Sequence, residues 1–188
     1  MEKKLALLFI LFFSYTGIAQ IKYEKEERVK KEELPKPTVK LLSLVEANSR
    51  RIRYFREIND ENLSYEIKLK KNSVHYSIEF SQEGVLQDIE VLIKKSELPL
   101  VVLEAAKNHF RKIKFIRIQK QFSHTDNISP SSTLQKVFKN KVSPEAYEIV
   151  VLGKTQNGYR YFELLLDTEG TLLKKSHIIT KDSENVVY

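Results

Sequence analysis

The chain has 188 residues, 41% of them hydrophobic and 30% charged, with 32 lysines and arginines against 25 aspartates and glutamates and a formal net charge of +7. Cysteine is absent, which excludes disulfide staples, thiol nucleophiles, Cys-ligated metal sites and a lipidated cysteine at an export cleavage point. The length suits one large domain or two small ones, and the basic excess is interspersed without an RNA-binding or helix-turn-helix pattern, so nucleic acid is not an expected partner.

Lys3 and Lys4 precede an apolar run from Leu5 to Phe13, and Gly17-Ile18-Ala19 places small residues where a signal peptidase cuts. A signal peptide over 1–19 is expected, with cleavage before Gln20. The run stops at Ser14, short of the roughly 20 apolar residues a bilayer span needs, so no stable membrane insertion is expected afterwards. The predicted location is periplasmic or secreted.

Residues 20–33 are almost wholly charged and read as a mobile leader or frayed helix. Leu34-Pro35 opens a helix with Val39, Leu41, Leu42 and Val45 at helical spacing, ending near Asn48. Arg51 to Ile58 alternates as a strand, and Asn59 to Asn62 is a turn cluster. Tyr65, Ile67 and Leu69 alternate with Glu66, Lys68 and Lys70; Val74, Tyr76, Ile78 and Phe80 do so with His75, Ser77 and Glu79. Glu83-Gly84 turns into a strand over 85–93. Leu98-Pro99 restarts the order with a helix carrying Val101, Val102, Ala105, Ala106 and Phe110, then a strand over 113–122. In the insertion 123–146, Leu134, Val137 and Phe138 predict a short helix over about 133–140, capped by Ser131 or Ser132. Strands over 147–152, 159–166 and 171–179 and a tail over 181–188 complete the chain.

One pattern occurs twice. Tyr65-Glu66-Ile67 leads through Phe80 to Glu83-Gly84, and Tyr147-Glu148-Ile149 leads through Phe162, Leu164 and Leu166 to Glu169-Gly170, with extra residues in the second copy's hairpin around Gly153, Asn157 and Gly158. Such a period reads as an internal duplication. The expected fold class is α+β: two tandem repeats, 34–95 and 96–180, each a helix packed on a four-stranded antiparallel sheet. The two Leu-Pro helix openings, the two Tyr-Glu-Ile strands and the two Glu-Gly turns together resemble the PepSY-like family of beta-lactamase-inhibitor-like exported proteins. That resemblance implies tandem modules in the periplasm that bind or inhibit rather than catalyse.

Residue chemistry points the same way. His75, His109, His124 and His177 show no spacing that puts two metal ligands on one helix face, and no serine sits in a nucleophile motif. Neither a cofactor, a metal nor an enzymatic activity is expected. Glu66 and Glu148, at equivalent positions, read as outward, solvated charges. The functional clue is an asymmetry: opposite its core face the first repeat is polar, whereas the second shows Val150, Leu152, Tyr161 and Leu165. An apolar outer face needs a cover or a partner. Leu134, Val137 and Phe138 of the inserted helix, or the first repeat, would supply the cover; otherwise the four residues form an interface. The reading is an exported, non-catalytic binding module for a protein or peptide partner in the envelope, inhibition being one form of that role. The alternatives are a small-ligand or envelope-stress sensor and a structural envelope protein; the oligomeric state stays open.

Overall fold

The strict apolar-polar alternation of the strands gives each of them one face for a core and one for something else, and the fold uses both. The computed structural model describes residues 20–22, 24–59 and 62–179; the signal peptide expected over 1–19 and the tail expected over 181–188 lie outside them. Strands β1 (Gln20–Lys22) and β2 (Glu24–Val29) come first, followed by helix α1 (Lys36–Glu46) and strands β3 (Ser49–Asn59), β4 (Asn62–Lys71), β5 (Val74–Ser81) and β6 (Leu86–Leu92). Helix α2 (Leu100–Asn108), β7 (Ile113–Ser123), α3 (Pro130–Phe138), β8 (Ala146–Thr155), β9 (Gly158–Asp167) and β10 (Leu172–Ile178) complete the order.

All ten strands belong to one sheet, in the order β1-β10-β9-β8-β7-β6-β5-β4-β3-β2. This overturns the expectation of two repeats, each a helix on its own four-stranded sheet. The reason lies in the β6–β7 pairing, Asp88 with Ser123 through Leu92 with Gln119, which hydrogen-bonds what would have been two separate sheet edges. The charged segment 20–33 is corrected too. It holds β1, β2 and a 3-10 turn at Lys31–Glu33, not a mobile leader. Its charges did not forbid a strand, because Glu26 and Arg28 find partners or space on the far side of the sheet.

β1 pairs parallel with β10 and β2 pairs antiparallel with β3, at opposite edges of the sheet, yet one residue separates them in sequence. Two virtual bonds span at most about 7.6 Å, so the sheet must curl until its edges almost meet. The N-terminal segment closes it.

Helices lie on one face only. α1 and α3 cover one core with Leu42, Val45, Leu134 and Val137 over Ile67, Ile78, Phe80 and Ile89. α2 covers the next with Val102 and Ala106 over Ile149, Val151, Leu164 and Leu166. The expected core residues Tyr76, Ile78, Phe80, Phe162, Leu164 and Leu166 are all buried there. Each of α1 and α2 is entered by the same device. The backbone N–H of Lys30 donates to Glu33 Oε2 at 2.7 Å, and that of Lys94 to Glu97 Oε2 at 2.8 Å, before a buried leucine and a proline start the helix. Gly84, at φ +83°, lets its turn press on α1: a Cβ there would lie 2.7 Å from Pro35 Cβ. Gly153, placed by the sequence reading in a loop, is within β8, where a Cβ would meet the Phe110 ring at 2.3 Å.

α3 differs from expectation in position and in role. It starts at Pro130 with Ser129 as N-cap, whose Oγ accepts from the Ser132 N–H at 3.3 Å. The expected caps, Ser131 and Ser132, are inside the helix; Pro at the first helical position was the signal for the earlier start. Nor does α3 cover the apolar residues of β8 and β9. Its Leu134 and Val137 join the α1 core, and Phe138 meets Tyr76 edge-on with ring centroids 5.1 Å apart.

Candidate functional site

The face away from the helices is the concave one. A cleft of about 570 Å³ on it is lined by residues from all eight strands β3 to β10. Alternation puts Glu57, Ser64, Glu66, Lys68, Ser77 and Glu79 on this interior in the first half of the sheet, and Gln119, Glu148, Val150, Leu152, Tyr161 and Glu163 in the second. Glu66 and Glu148 are therefore not solvated charges. Glu66 is 4% exposed, and Glu148 accepts from Arg117 Nη2 at 3.1 Å across the β7–β8 ladder. Their strands alternate as expected, but the polar side faces a curled sheet instead of water.

The proposed interface is displaced with them. Val150 is 1% exposed and stands opposite Glu163, while Leu152 pairs with Tyr161 and Leu165 with Glu148. The four residues do lie together on one face, as the sequence implied, and that face is the interior one. Leu152, Tyr161 and Leu165 are half-buried, and Leu165 lines the cleft.

The cleft itself is acidic. Glu57, Glu79, Glu83, Glu90, Glu148 and Glu163 line it against one lysine, Lys174. Glu90, 5% exposed, accepts from Gln119 Nε2 at 2.6 Å. Burial, with Glu148 and Glu79 nearby, pushes its carboxyl well above the usual range, so it tends to keep its proton.

Deeper in the first half, Glu26 of β2, Glu57 and Glu66 bring carboxylate oxygens within 4.8 Å of one another. Such a set could hold a cation, and the chain supplies one. Lys68 Nζ donates to Glu26 Oε1 at 2.9 Å and lies 2.9 Å from Glu66 Oε2, whose other oxygen accepts from Ser77. The ammonium also stands 4.9 Å from the centre of the Phe55 ring. Burial works against its charge, yet Glu66 and Glu26 more than offset it and hold Lys68 above the usual lysine range.

The opposite end of the same strands is basic. A second cleft of about 690 Å³ is lined by Arg28, Arg51, Arg53, Lys68 and His75, with Ile52, Leu69 and Leu92, and includes no carboxylate. Neither cleft is legible in the sequence, because the basic one draws Arg28 in through the β2–β3 pairing and the acidic one collects residues from eight strands of one curled sheet. The one available signal was the run of charges at every second position.

No protein-family model and no curated protein matches the chain. Among solved structures it is similar to a BLIP-like protein from Bacteroides fragilis, at 12% identity over 80% of this chain and 90% of that one, with a TM-score of 0.50. The fold is BLIP-like. A protein from Bacteroides eggerthii described as periplasmic gives a TM-score of 0.53 at 15% identity, over 81% of this chain and 94% of its own. Both alignments cover nine-tenths or more of the neighbour's length. Among the described residues no helix is long and apolar enough to cross a membrane.

Proposed function

We propose that the chain is an exported, non-catalytic binding module that takes a basic segment of a protein or peptide partner into its acidic cleft. The observation that carries this reading is the lining of that cleft, six glutamates against one lysine on a concave surface. A lysine or arginine side chain entering it exchanges water for charge-assisted hydrogen bonds in a site of reduced dielectric. Leu165 and Leu63 in the lining give the aliphatic stem of such a side chain something to lie on. Export is supported by the apolar run at 5–13 with its small-residue cleavage sequence, and fits the likeness to a protein described as periplasmic. Inhibition of an enzyme would be one outcome of such binding.

Tetralysine titrated calorimetrically into the protein tests the reading. Binding should be saturable, weaken as salt rises, and fall about tenfold in a Glu79→Gln, Glu163→Gln double variant that still folds. Equal heats for tetralysine and a neutral peptide, or no effect of the double variant, would overturn it.

A further inference from the structure

We propose that the basic cleft at the far end of the interior is a binding site for a tetrahedral oxoanion, phosphate or sulfate, free or as an ester. Its lining brings three guanidinium groups, Arg28, Arg51 and Arg53, to one cavity with Lys68 and His75 and no carboxylate. Lys68 is committed to Glu26 and Glu66, so the arginines supply the positive charge. Guanidinium groups present paired N–H donors that match an oxoanion's oxygens.

The backbone points to the same place. β3 carries an irregularity in its pairing with β4 between Arg50 and Arg53, and within it Arg51 adopts φ +54°. Among the described residues, the other non-glycine positions at positive φ are three asparagines and a serine, Asn48, Asn72, Asn140 and Ser73. Asparagine is several-fold enriched there, whereas a long side chain at positive φ is an outlier that the surrounding structure must sustain. A bulge re-aims the residue it contains, and here that residue is an arginine at the rim of a basic cavity. Arg28 reaches the cleft from β2, so the site is complete only when the N-terminal segment is paired with β3. Partial burial first, and then Lys70, Arg51 and Arg53, also hold the half-buried His75 imidazole below its usual range.

This inference is independent of the acidic cleft, and its test uses different probes. Inorganic phosphate is titrated into the protein at constant ionic strength while the four histidine Hε1 resonances are followed by NMR. His75 should shift saturably and its pKa should rise on binding, while His109, His124 and His177 serve as internal controls. Inorganic sulfate should compete and chloride should not. Arg51→Gly relieves the left-handed backbone and deletes the guanidinium, so it should weaken phosphate binding about tenfold without lowering the melting temperature; Arg53→Gln should weaken it similarly. A non-saturable response, equal shifts at all four histidines, or unchanged affinity in both variants would overturn the proposal.

Discussion

At the end of the interior beside the Glu83-Gly84 turn, six glutamates face one lysine; at the end beside the β3 bulge, three arginines share a cleft with no carboxylate in its lining. Between them Lys68 is gripped by Glu26 and Glu66. Charges of both signs are thus sorted along the same strands, with an ammonium bridging two carboxylates at the centre and a cleft of opposite sign at each end. The difference teaches how one polar sheet face can be both structural and receptive. Where a lysine stands among buried carboxylates, they act as glue; where none does, the fold holds a proton, as at Glu90, or presents charge to a cavity.

The sharpest way to break this comparison is to remove the central cation. Lys68→Met leaves two poorly exposed carboxylates without their ammonium, and losing one partner of a buried ion pair costs about 3 kcal/mol or more. Urea denaturation at pH 7 should show that loss with an unchanged slope. A loss below about 1 kcal/mol would mean that the centre is as open to water as the ends. The effect should be flat from pH 6 to 9. A lysine held above its unfolded value contributes stability that is fully present below the unfolded pKa and fades only as pH rises through the folded one, well into the alkaline range.

The acidic end should respond with the opposite sign and less strongly. Glu90 has its carboxyl raised by burial first and by Glu148 and Glu79 next, so the folded chain holds a proton that the unfolded chain releases. Stability then declines as pH rises from the unfolded carboxyl range through the folded value. Glu90→Gln keeps an oxygen for Gln119 and removes the ionisation. Its melting temperature should exceed that of the parent at neutral pH by about 2 to 4 °C if the charge costs on the order of 1 kcal/mol, and the gap should close towards pH 4. A variant less stable than its parent at every pH would show that Glu90 is charged and held by partners.

Much of this was legible in the sequence, and the limit has a physical cause. Alternation named the core faces, since Tyr76, Ile78 and Phe80, and Phe162, Leu164 and Leu166, point inward to the helices for a local reason. It also placed Val150, Leu152, Tyr161 and Leu165 on one shared face. What alternation cannot state is whether a polar face meets water. That depends on the β6–β7 pairing and on the N-terminal segment reaching both edges, contacts between residues far apart in sequence. Glu66 and Glu148 were misread for this reason, and so was the charged stretch 20–33, whose Glu26 becomes intelligible only opposite Lys68.

The smallest effect tests how the centre is built. Phe55 stands between the halves of the network, with the Lys68 ammonium 4.9 Å from its ring centre and the Arg53 guanidinium carbon 5.8 Å from it. If the ring helps to fix the lysine by its negative face, Phe55→Leu should cost more in the parent than in Lys68→Met, and the difference should be about 1 kcal/mol, as for a partly desolvated cation over an aromatic ring. A double-mutant cycle by urea denaturation isolates that coupling from the packing both single variants disturb. A coupling indistinguishable from zero would assign the position of Lys68 to Glu26 and Glu66 alone.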